Sequence, residues 1–167
     1  ASNGKPGMWL LDPTDVTISD AATSTLPAGG IYTPAAGAST SNINANEIKA
    51  LLVGGTDVTI TTASTGPAAG NINFNDGPGA LGTFDPTRTT GLNTTLTLNA
   101  GVNGNVNINK PLTFTQVNLV VCCGKDINVN RAITMTRASL LLSAGGNVNQ
   151  SQFAAITSTD GNVAMCA

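Results

Sequence analysis

Apolar and polar residues alternate one for one through much of this chain, as in strands that bury a single face. Val58 and Ile60 alternate with Thr59 and Thr61, and Ile72 and Phe74 with Asn71, Asn73 and Asn75. From Leu96 onward the alternation comes in short bursts that recur every 21–23 residues. Leu96-Thr-Leu-Asn-Ala100, Leu119-Val-Val-Cys-Cys123, Leu140-Leu-Leu-Ser-Ala144 and Val163-Ala-Met-Cys-Ala167 occupy matching places in successive units. The first three are followed by Asn105-Val-Asn107, Asp126-Ile-Asn128 and Asn147-Val-Asn149, and then by Leu112-Thr-Phe-Thr115, Ile133-Thr-Met-Thr136 and Ile156-Thr-Ser-Thr159. Three short strands per unit, with no helix between them, predict an all-β parallel β-helix rather than a βαβ sheet. Hairpin signals are scarce, which argues against a sandwich, since Asn-Gly occurs only at Asn3-Gly4 and Asn103-Gly104.

The expected inward positions are Leu96, Leu98 and Ala100; Val106 and Ile108; Leu112 and Phe114; Leu119, Val121 and Cys123; Ile127 and Val129; Ile133 and Met135. Leu140, Leu142, Ala144, Val148 and Ile156 continue the series, and Val163 and Met165 begin a further coil. Residues 1–18 read as a lead-in or cap with a strand at Val16–Ile18. A surface-loop insertion is expected near 19–46, rich in Ser, Thr, Ala, Gly and Pro, and another near 76–95. Between them lies the only helical pattern. Asn46 is its expected N-cap, Ile48, Leu51 and Leu52 its apolar face, and Gly54 or Gly55 its stop, so the stretch 19–55 reads as insertion plus short helix. Coils are expected over 56–167, within one domain of 167 residues.

Composition narrows the chemistry. Only 10% of residues are charged, and the net charge of −2 supplies no field for nucleic acid. No apolar run reaches the ~20 residues that span a bilayer, so neither nucleic-acid binding nor membrane insertion is expected. The opening Ala1-Ser-Asn-Gly-Lys-Pro-Gly7 is polar and unlike a secretory signal, which suggests a mature form or an excised piece. The chain has no histidine, which removes imidazole from catalysis and metal binding. Three cysteines without a Cys-x-x-Cys do not suggest zinc, and Gly-Gly-x-Gly-x-Asp calcium repeats are missing. The acids are scattered, with only Asp12 and Asp15 close together, so they read as turn and capping residues rather than a catalytic pair. The expectation is a non-enzymatic protein without a cofactor.

Three sets of residues stand out in the columns. Asn107, Asn128 and Asn149 form the centre of an asparagine ladder, flanked by Asn71, Asn73, Asn75, Asn105, Asn109, Asn130 and Asn147, whose amides bond from rung to rung. Thr113 and Thr115, Thr134 and Thr136, and Thr157 and Thr159 build a flat array of hydroxyls and methyls. Such Thr-x-Thr arrays resemble the ice-facing surfaces of some β-solenoid antifreeze proteins, although Thr is also simply a good exposed strand residue. Cys122 falls level with Asn99, Ser143 and Cys166. Two rungs of ~4.8 Å separate Cys122 from Cys166, beyond the ~7 Å between α-carbons that a disulfide tolerates. A Cys122–Cys123 bridge would distort a strand, so free thiols, or a link between subunits, are expected.

The order of motifs also resembles a known family. Trp9-Leu-Leu-Asp-Pro-Thr-Asp-Val-Thr-Ile18, Gly55-Thr-Asp-Val-Thr-Ile-Thr-Thr62, Gly70-Asn-Ile72, Leu96-Thr-Leu-Asn-Ala100, Ile156-Thr-Ser-Thr159 and Gly161-Asn-Val163 are similar to the repeat regions of filamentous-haemagglutinin-type exoproteins, the adhesins of bacterial two-partner secretion. The secretion domain of that family is not in this sequence, and its cysteines are atypical. The resemblance implies a right-handed coil, an extracellular setting at the bacterial cell surface, and a structural or adhesive role. Head-to-tail assembly with copies of itself is the sharper expectation, through Trp9, Leu10, Leu11, Val16 and Ile18 at one end and Val163 and Met165 at the other, with Cys122, Cys123 or Cys166 near the junction. The alternatives are a discrete adhesin fragment that binds host glycan or matrix, and an ice binder.

Overall fold

The computed structural model describes residues 7–11, 15–24, 40–62, 70–76 and 82–167. In these residues every strand pairing is parallel, and the chain winds as a β-solenoid. It opens with β1 (Gly7–Leu11), β2 (Asp15–Ser19), β3 (Thr40–Asn44) and the helix α1 (Ala45–Val53). Then come β4 (Val58–Thr62), β5 (Ile72–Phe74), β6 (Thr94–Asn99), β7 (Val106–Ile108), β8 (Leu112–Thr115) and β9 (Val117–Cys122). The last are β10 (Ile127–Val129), β11 (Ile133–Thr136), β12 (Leu140–Ser143), β13 (Val148–Gln150), β14 (Ile156–Thr159) and β15 (Val163–Cys166). The first sheet runs β1-β4-β6-β9-β12-β15, the second β3-β2-β5-β7-β10-β13, and the third β8-β11-β14.

The alternation sets which face is buried. In β6, β7, β8, β9, β10 and β11 each inward residue is buried and each outward one half-buried. Residues of one type then stack on their counterparts in the next coil, as Val106, Ile127 and Val148 do in the second sheet. Phe74, Phe84 and Phe114 fill the corner between the second and third sheets, with ring centroids 5.0 and 5.8 Å apart. The corner from the third sheet to the first is built each time by a residue in the left-handed region: Gln116, Arg137 and Asp160, with φ of 51°, 50° and 57°. The backbone N–H of Gln116 donates to Thr136 and that of Arg137 to Thr159, so the corner repeats because its hydrogen bonds do.

Four expectations are corrected. The stretch 19–46 is not all loop, because β3 lies within it and pairs with β2 in register, Val16 opposite Ser41 and Ile18 opposite Ile43. Its few apolar residues hid it; residues 25–39 lie outside the described residues. The stretch 76–95 is likewise not wholly irregular. Phe84 bridges Leu112 and Thr87 bridges Thr115, which supplies the third face of that coil, and β6 already begins at Thr94. Asn44, not Asn46, caps α1, its side chain accepting from the Asn46 N–H at 2.8 Å. Cys123 points outward rather than inward, because β9 ends at Cys122 and Cys123 turns the chain with φ 66°.

The helix takes the place of a third-sheet strand, since it links β3 of the second sheet to β4 of the first. Ile48 and Leu52 are fully buried against the core beneath the Phe84 segment. Arg88 reaches from that segment to its C-terminal carbonyls, Nη1 donating to Leu52 at 3.0 Å and Val53 at 2.9 Å. A cation there satisfies carbonyls that have no partner within the helix.

Candidate functional site

The chemistry of this molecule lies on its outer faces and its two ends. On the second sheet the asparagine side chains bond from rung to rung. Asn107 Nδ2 donates to Asn73 Oδ1 at 2.8 Å, Asn128 Nδ2 to Asn107 Oδ1 at 2.7 Å, and Asn149 Nδ2 to Asn128 Oδ1 at 2.9 Å. A parallel column joins Asn75, Asn109 and Asn130 at 2.8 Å per step. A third is a staircase of side chain to backbone. The N–H groups of Asn71, Asn105, Asp126 and Asn147 donate to the side-chain oxygens of Asp15, Asn71, Asn105 and Asp126. An amide is both donor and acceptor, so one column can run indefinitely, whereas a column of carboxylates would repel itself.

The third sheet carries the threonines. Thr113, Thr134 and Thr157 share one column and Thr115, Thr136 and Thr159 the other, which Thr87 extends by a bridge to Thr115. Thr113, Thr115, Thr134 and Thr136 are half-buried, and Thr87, Thr157 and Thr159, at the two edges, are exposed.

Several of the described carboxylates hold a backbone N–H, a hydroxyl or a cation. Asp57 accepts from the Thr95 N–H at 2.8 Å, Glu47 from Thr23, and Asp85 from Lys49 at 2.6 Å. Lys110 has its side chain 3% exposed and pairs with Asp76 at 2.9 Å, at the corner between the second and third sheets. Neither Lys110 nor Arg88 stood out in the sequence, because their partners lie 34 and 36 residues away. Asp12 lies outside the described residues. Among the described residues no three His, Cys, Asp or Glu side chains converge as metal ligands, and no helix is long and apolar enough to cross a membrane. Comparison with protein-family models, curated proteins and solved structures gives no match.

The two ends differ from expectation in an instructive way. Val16 and Ile18, expected on an assembly surface, are fully buried, because β3 pairs alongside β2 and α1 closes the core. The backbone of Trp9, Leu10 and Leu11 pairs in β1 with Ile60, Thr61 and Thr62, while the side chains of these three fall outside the described residues. At the other end Val163 and Met165 stand in register over Leu140 and Leu142, 40% and 52% exposed. Cys122, Ser143 and Cys166 share an outward column on the first sheet, and Cys122 and Cys123 bring their sulfur atoms to 2.8 Å.

The strand orders give both ends the same step. Taking β1 and β2 as one rung, β3 sits one rung lower in the second sheet, and α1 leads from it to β4. At the far end β15 sits one rung above β12, β13 and β14. The first and second sheets thus have six strands each, offset by one rung.

Proposed function

We propose that this chain is a secreted, non-catalytic β-helix module of the filamentous-haemagglutinin type. It serves as a structural or adhesive element at the bacterial cell surface and stacks head to tail with copies of itself into an extracellular filament. The observation that carries this reading is the complementary step. When the β15 end meets the β1 end of a second copy, β15 fills the place beside β3 that the first sheet leaves open, and β13 meets β3. The helix α1, which follows β3, then faces β14. Among the described residues no strand pairs with the outer edges of β1, β3, β13, β14 or β15, and such edges template pairing with another chain. The contact joins two different surfaces, so it propagates instead of closing. The amide columns favour stiffness, since each rung is bonded to the next by side chains as well as backbone. Negative-stain microscopy of the purified protein is the test: rods many copies long are expected, and discrete particles at every concentration would overturn the filament.

The threonine columns favour a second reading. Outward Thr pairs spaced about 6.7 Å along the strands and about 4.8 Å across them make a flat lattice suited to ordered water. An ice binder would shape ice crystals, and Thr134→Tyr would remove the effect; unshaped crystals from the parent protein would dismiss it.

A further inference from the structure

We propose that Cys122 and Cys123 are a redox-modifiable dithiol, which a hydroperoxide closes into a disulfide between adjacent residues. In a continuous strand neighbouring side chains point to opposite faces, which keeps adjacent thiols apart. Here β9 stops at Cys122 and the left-handed turn at Cys123, φ 66°, brings the second side chain to the outer side. The sulfur atoms lie 2.8 Å apart, with Cys122 half-buried and Cys123 exposed. Cys166 does not compete within the same molecule. Ser143 lies between it and Cys122 in the column, and two rungs of ~4.8 Å exceed the reach of a disulfide.

The accessibility of the two thiols orders the steps. Burial, with Cys123 alongside, pushes the Cys122 thiol up to about 12, so it keeps its proton at neutral pH. The exposed Cys123 therefore meets the peroxide first. An S–O bond forms as the O–O bond breaks; the distal oxygen leaves as hydroxide and is protonated to water, and Cys123 becomes a sulfenic acid. Cys122 sulfur then attacks Cys123 sulfur, the S–S bond forms, the S–O bond breaks, and the departing hydroxide takes the Cys122 proton. Two thiols and one hydrogen peroxide give one disulfide and two waters, with two electrons passing from sulfur to oxygen. The turn that closes is also a rung contact, because the Cys123 N–H donates to Ser143 at 3.1 Å.

The test is thiol mapping of the intact protein after hydrogen peroxide treatment, followed by denaturation, alkylation and tryptic digestion. The peptide ending at Lys125 carries Cys122 and Cys123, and the peptide beginning at Ala138 carries Cys166. The expected result is a loss of about 2 Da and no alkylation on the first peptide, alkylation of Cys166, and reversal by dithiothreitol. Cys166→Ser should leave that signature intact, and Cys123→Ser should abolish it. Full alkylation of Cys122 and Cys123 after peroxide, or a cross-link carried by Cys166 in place of the loss, would overturn the proposal.

Discussion

Replacing single asparagines along one column tests whether the ladder binds the rungs. Asn128 makes two side-chain bonds, donating to Asn107 and accepting from Asn149, as Asn107 does with Asn73 and Asn128. Asn149 makes one, and it is exposed. A net intramolecular hydrogen bond contributes about 0.5–1.5 kcal/mol, and an orphaned half-buried amide adds to the loss. Asn107→Ala should therefore cost about 1–3 kcal/mol. Asn128→Ala should cost about 1–2 kcal/mol, because the freed amide of Asn149 turns to water, and Asn149→Ala less than about 1 kcal/mol. Asn128→Asp separates hydrogen bonding from shape. Its carboxylate can still accept from Asn149 but faces Asn107 Oδ1 without a proton to donate. The folded state then favours the protonated acid, which raises its pKa above the unfolded value of about 3.9. The folded form holds more protons, so stability falls as pH rises through that value and recovers below it. Urea midpoints from circular dichroism give the order, and hydrogen exchange in β7, β10 and β13 locates the loss, which nearest-neighbour coupling confines to adjacent rungs. Equal costs at all three positions, or the largest at Asn149, would refute the ladder as a source of cohesion.

Other consequences follow from packing. Phe114→Ala removes the ring that meets Phe84 edge-on in a closed corner, and should cost about 3–5 kcal/mol by denaturant titration. Gly161→Ala puts a methyl against the carbonyl oxygen of Ala138. Exchange protection should vanish at Leu140 and Ala144, whose N–H groups donate to Asn162 and Cys166, while the lower coils stay protected. Arg88→Ala takes the donor from the Val53 carbonyl, while that of Leu52 keeps Thr94 Oγ1 at 3.1 Å and the Gly55 N–H at 3.2 Å, and should cost about 1 kcal/mol. Protection of β3 and α1 should fall before that of β9 to β11.

What was legible in the sequence depended on how far apart the deciding residues lie. Val106, Ile108, Ile127 and Val129 declared their faces because period-2 alternation within a strand and the repeat between strands agree. The asparagine columns came from the same register. The misread places depend on one residue or one distant partner. β3 is recognisable as a strand chiefly through its pairing with β2, and Phe84 is a lone apolar residue that matters because Leu112 lies beside it. Cys123 kept the alternation in sequence but lies past the strand end, where backbone conformation sets direction. The step at the two ends was beyond the repeat pattern altogether, since it arises from the chain doubling below β2 before it coils.

The length of the purified particles by electron microscopy, across a concentration series, tests the central claim most directly. Head-to-tail stacking predicts rods of constant width that lengthen with concentration, and that fail to form when Gly161→Ala unseats β15. Particles one module long at every concentration would contradict it.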